Sequence, residues 1–176
     1  MIEKKSIDSL INDIKYLKYE ARSLNKVIES VPYSEKPLDG ASIVEIFLSI
    51  DSIQCKVLDL LNRLTSEGID ITIHPDKLYQ RIELDTQKLK KIKFSEVIKE
   101  IESNRFLLYS KIEKQASQFF EIELNLGSDK ISIFNLLSIM VEKERVLLKE
   151  VADIVLTFQT DKHFQRKIAA HKLNKS

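Results

Sequence analysis

The sequence predicts an all-α fold, an antiparallel four-helix bundle formed by a single domain over residues 1–176. Three observations predict it. Apolar residues recur at helical spacing in four long segments. The six backbone breakers, Gly40, Gly68, Gly127, Pro32, Pro37 and Pro75, all fall between those segments. The composition, 43% hydrophobic and 31% charged, suits a chain that buries one core and keeps a solvated surface. A chain of 176 residues is long enough to bury a core without a disulfide or metal to brace it.

The first helix is expected at 6–31, where Ile7, Leu10, Ile14, Leu17, Ala21, Leu24 and Ile28 form one stripe. Pro32 ends it, because its ring clashes with the preceding turn and it has no amide hydrogen. The second is expected at 42–66, with Ile43, Ile46, Ile50, Ile53, Val57, Leu60 and Leu64 inward. Ser42 followed by Glu45 is a capping box for its first turn, and Gly68 supplies a stop. Residues 69–94 then make a long connection with short apolar alternations and one helical turn after Pro75. It has to cross the bundle, and connections of this length often cover an end or a pocket. The third helix is expected at 95–120, burying Ile98, Ile101, Leu108, Ile112 and Phe119, and the fourth at 132–158. Helices of this length reach about 38 Å at 1.5 Å per residue, and near-antiparallel packing follows from the loops between them. The tail, 160–176, is basic (Lys162, Arg166, Lys167, Lys172, Lys175), and Phe164, Ile168 and Leu173 let it dock as a short amphipathic helix.

Several function classes are excluded or disfavoured. With 28 basic and 27 acidic residues the net charge is +1, which provides no field to concentrate nucleic acid. The run Lys88, Lys90, Lys91, Lys93 reads as a solvated face. The single cysteine, Cys55, excludes an intrachain disulfide and a thiolate zinc site, and is expected to be buried. The opening residues, MIEKKSIDSL, lack a secretory apolar run, and no stretch of about 18 apolar residues exists to span a membrane. A cytoplasmic location is the expectation. None of His74, His163 and His171 belongs to a Glu-x-x-His motif, so a diiron bundle is excluded. No Gly-x-Ser-x-Gly is present, and glycine is too scarce for a phosphate-cradling loop.

The fourth segment has an awkward centre. Its apolar series Ile133, Leu137, Met140, Leu147, Val151, Ile154, Phe158 is interrupted at Glu144, with Lys143 beside it. Arg105 fills the corresponding gap in the third segment, between Ile101 and Leu108. A buried charge needs a partner, and each of these is a candidate for the other. One reading is a structural ion pair that sets helix register. The other is a polar pocket, with Arg105 binding an anion and Glu144 acting as acid or base. Lys143 either pairs with Asp51 or Glu142 or extends its stem to solvent.

Two stretches resemble a known family. Ala41-Ser42-Ile43-Val44-Glu45-Ile46-Phe47-Leu48-Ser49-Ile50 is similar to the Trp-Ser-x-x-Glu-Val-Leu-x-His-Leu motif that opens helix two of DinB-like proteins. Lys143-Glu144-Arg145-Val146-Leu147-Leu148-Lys149-Glu150-Val151-Ala152-Asp153-Ile154 resembles their helix-four motif, His-Glu-x-x-His-x-Gly-Gln-Ile. The resemblance implies a four-helix bundle that holds one divalent metal through three histidines. Members include thiol-dependent transferases and hydrolases, and dimers are common among them. In this chain the three ligand positions fall on Ser49, Lys143 and Leu147, and the tryptophan position on Ala41. The expectation is therefore a metal-free, non-catalytic DinB-like bundle without a cofactor, binding a small ligand or a protein and pairing as a homodimer. The alternatives are a transferase or hydrolase with a rebuilt site around Glu144, Arg105 and Lys143, and a regulatory scaffold that grips a partner with its basic tail.

Overall fold

The stripe beginning Ile7, Leu10, Ile14 forms helix α1, Lys4–Ile28, in the computed structural model of the chain. The structure describes residues 2–28, 30–37, 40–67, 72–127 and 129–173. The expected Gly68 stop lies outside them, as do the side chains of Leu17, Ala21 and every residue from 163 onward, His163, Phe164, Ile168, His171 and Leu173 included. Helix α2, Ile43–Glu67, starts at its capping box. The Ser42 amide donates to Glu45 Oε2 at 2.9 Å, and the Glu45 amide donates back to Ser42 Oγ at 3.3 Å.

The long connection contains strand β1, Thr72–Ile73, and two single turns, α3 at Pro75–Leu78 and α4 at Thr86–Leu89. Helix α5, Phe94–Ile112, follows and ends well before the expected 120. The chain turns at 113–116 and makes one further turn, α6, Ser117–Glu121. The Gln115 amide and side chain donate to the carbonyls of Ile112 and Lys111, closing the helix end. The turn has a packing reason. Phe120 is fully buried and meets Phe119 edge-on, and Glu121 accepts the Ile2 amide at 2.8 Å. A straight continuation of α5 would carry these aromatic rings past the end of the bundle.

Strands β2, Glu123–Leu126, and β3, Asp129–Ser132, then form an antiparallel hairpin, and β1 joins β2 in parallel. The result is a three-stranded sheet in the order β1-β2-β3. Helix α7, Ile133–Leu173, runs unbroken for 41 residues. The expected stop at 158 and separately docked tail helix are therefore replaced by one continuous helix.

The bundle consists of α1, α2, α5 and α7. Helix α1 packs on α5 and α7, and α2 packs on the same two. Sequential helices α1 and α2 thus sit on one diagonal, and α5 and α7 on the other. Pairings along the chain give the directions. Arg22 meets Glu102 while Lys15 lies over Tyr109, so α1 and α5 are antiparallel. Asp13 meets Arg145, and the residues around Ser6 and Ser9 face those around Phe134 and Ser138, so α1 and α7 run parallel. Phe47 packs on Phe94, and Asp51 on Asn104, so α2 and α5 also run parallel. Antiparallel packing holds for α1–α5 and α2–α7. The parallel α2–α5 step requires the chain to climb back along α2, which is what residues 72–93 do. The small sheet closes one end of the bundle. No described helix is long and apolar enough to cross a membrane.

Candidate functional site

Arg105 comes from α5 and Glu144 from α7, helices on opposite corners of the bundle. Their side chains meet through Arg105 Nη2 and Glu144 Oε2, so the pair crosses the centre of the core along a diagonal. Arg105 is 2% exposed and Glu144 is 0% exposed. Burial pushes the Arg105 pKa down, with Glu20 opposing that shift and Arg145 reinforcing it. The guanidinium is held beside a carboxylate in a medium where neither is hydrated. Among the described residues, Arg105 Nε and Nη1 have no hydrogen-bond partner. Gln54 on α2 is equally buried, and neither polar atom of its side-chain amide has a partner among the described residues. No solute reaches this polar centre unless the helices part.

The other sequence-predicted positions go elsewhere. Ser49, 2% exposed, donates to the Glu45 carbonyl at 2.8 Å and accepts the Ile82 amide at 2.9 Å. Glu45, one turn earlier, accepts the Leu84 amide at 2.7 Å and pairs with Lys36 at 2.7 Å. Burial alone would raise the Glu45 pKa, but Lys36, the Leu84 and Ser42 amides and the Ser42 hydroxyl outweigh it and hold the carboxylate below its ordinary value. Glu45 and Ser49 therefore act as two clamps that fasten residues 82–84 to α2. Arg81 completes the attachment with a two-pronged contact to Glu150 on α7, at 3.1 and 2.7 Å.

Leu147 is an ordinary core residue, 6% exposed. Lys143 is exposed and pairs, among the described residues, with neither Asp51 nor Glu142. Asp51 accepts instead from Asn104 Nδ2 at 2.8 Å. The same amide contacts Cys55 Sγ at 3.2 Å, and Cys55 is exposed rather than buried. The reason is angular: the neighbouring Gln54 points into the core, and one residue further turns about 100° around the helix. Desolvation and the nearby Asp51 raise the Cys55 pKa, which keeps it a thiol and a poor nucleophile.

A divalent metal does not fit the positions that the family resemblance marks. The Ser49 hydroxyl is engaged on both sides, Leu147 carries no donor atom, and Lys143 is a cation. Among the described residues no three His, Cys, Asp or Glu side chains cluster as a ligand set. Sequence reasoning missed Gln54, Arg81 and Lys36. Arg81 is an exposed-type residue whose partner, Glu150, lies 69 residues along the chain, Lys36 meets Glu45 across the turn into α2, and Gln54 sits one turn after Ile50 where an inward position was legible.

A cleft lies away from this centre, at the end of the bundle where α1 leads into α2. It holds about 690 Å³ between residues 31–37 and 40–43 on one side and the face of α7 from Val146 to Asp161 on the other.

No protein-family model matches the chain, and no curated protein matches it. Its three-dimensional structure is similar to that of YfiT from Bacillus subtilis, described as a probable metal-dependent hydrolase with an unusual four-helix bundle topology. The match has a TM-score of 0.67 over 90% of this chain and 91% of that one, at 11% sequence identity. At that identity the likeness shows the four-helix-bundle fold.

Proposed function

We propose that this chain is a metal-independent bundle of the DinB-like type that works as a binding module for a small ligand, without metal chemistry. The observation that carries this reading is the use made of Ser49. It stands where the resembling motif has a helix-two histidine, and its hydroxyl is consumed in fastening the connection over α2. The exposed Lys143 and buried Leu147 support the same reading, since a metal ligand must be both a donor and directed at a shared point. The enclosure of Arg105 and Glu144 disfavours a rebuilt acid–base site, because a general acid or base has to touch its substrate.

The test is elemental analysis of the purified full chain with thermal melts in added zinc, nickel or manganese. The expected result is well under one metal per chain and an unchanged melting temperature. One equivalent of tightly held metal, together with a melting temperature that rises with metal, would overturn the proposal, since a ligand that binds only the folded state stabilises it.

A further inference from the structure

The cleft beside α7 combines an apolar floor with a rim of unequal charge, and we propose that it is a binding site for a small amphipathic cation, an amine carrying an apolar arm. The inference rests on the binding-module reading and names its site and ligand class. The floor is formed by Ala41, from the segment between α1 and α2, and by Val146, Ile154 and Phe158 along one side of α7. Val146 is 55% exposed, which leaves its aliphatic side chain open to a ligand in the cleft. Pro32 and Pro37 form the opposite wall, and their fixed φ stiffens it. A volume of about 690 Å³ falls within the usual range for sites that enclose a drug-sized molecule, which favours a small ligand over a protein surface.

The rim then selects by charge. Two of its charged residues are already neutralised: Lys36 by Glu45, and Glu150 by Arg81. Glu35, Asp153 and Asp161 have no ion-pair partner among the described residues, and all three are exposed. Lys149 is the one remaining lining cation, so uncompensated carboxylates outnumber it three to one. Carboxylates converging on one mouth attract a cation and repel an anion of the same size. Phe158 adds an aromatic ring to the lining, and rings of this kind attract an ammonium. The complementary molecule places its apolar arm on Val146, Ile154 and Phe158 and its ammonium among Glu35, Asp153 and Asp161.

A pair of probes with one skeleton and opposite charge tests this: 4-phenylbutylamine against 4-phenylbutyrate, titrated calorimetrically into the full chain at low salt. The amine is expected to bind at least tenfold more tightly than the carboxylate. Neutralising the rim with Glu35→Gln, Asp153→Asn and Asp161→Asn together should erase that preference, and Ala41→Trp, which fills the floor, should abolish binding. Circular dichroism establishes that each variant is folded. If Ala41→Trp does not fold, the two probes on the wild-type and rim-neutralised proteins still decide. Equal binding of the probes, preference for the carboxylate, no binding of either, or an amine preference that survives rim neutralisation would each overturn the proposal. The parent reading fails on a separate measurement, stoichiometric metal with metal-dependent melting, so the two failures are distinguishable.

Discussion

Arg105 and Glu144 occupy the most expensive place in the molecule to put charge. Each loses its hydration, and the contact between them restores only part of it, since Arg105 Nε and Nη1 remain unpaired. Removing one partner leaves the other buried and unpaired. Glu144→Gln is therefore expected to destabilise the fold by roughly 3–5 kcal/mol in urea denaturation. The double replacement Arg105→Met with Glu144→Leu is expected within about 1 kcal/mol of wild type or above it. A double variant as damaged as the single one would show that the pair contributes net stability. Glu45 gives a second residue-scale prediction, with its sign set by the direction of its shift. Its folded pKa is lowered from the ordinary 4.5, so it contributes stability that is present in full above about that pH and is lost as pH falls through the folded value. Stability of Glu45→Gln, measured against pH, should lack that acid-side decline, and an identical profile in both proteins would refute the assignment. The capping role of Glu45 was legible from Ser42 three residues earlier. Its grip on Leu84, 39 residues away, was not, because a backbone amide leaves no mark in the sequence.

The elements show the same division. The four apolar stripes placed α1, α2, α5 as far as Ile112 and α7 as far as Phe158, because helical spacing directly reports which side is buried. The break between α5 and α6 has no glycine or proline, only the polar run Glu113-Lys114-Gln115 ahead of Ala116, and is imposed by where Phe120 has to go. The hairpin did carry a signal: Glu123 to Leu126 alternates before Gly127, whose φ of 62° lies in the left-handed region. A Cβ at Gly127 would meet nothing within 4 Å, so the cost of Gly127→Ala is backbone strain alone. It is expected to be about 1–2 kcal/mol in chemical denaturation, with Gly127→Asn costing less because asparagine tolerates this conformation. Equal costs for the two would point to a side-chain effect instead.

At the scale of the whole molecule, the diagonal placement of α1 and α2 makes the long connection obligatory. α2 and α5 run in the same direction, so the chain has to return along the outside of α2 before α5 can begin. Ser49, Glu45 and Arg81 fasten that return, which is why polar residues recur along an otherwise apolar helix face. Helix α7, at about 62 Å, greatly exceeds the roughly 38 Å of α1, and the last buried core residue along it among the described residues is Val155.

The sequence by itself determined the fold class, the inward face of each long helix, the start of α2 and the two charged residues that interrupt the core. Each of these follows from local periodicity or local hydrogen bonding, which act between residues a few positions apart. Only the tertiary structure decided that Arg105 and Glu144 meet across a diagonal, that Ser49 clasps a strap, that Cys55 faces outward, and that a charged-rimmed cleft opens beside α7. These depend on which helices become neighbours and in which direction they run. Packing of the complete core settles both, because no single segment contains the energy that distinguishes one arrangement from another.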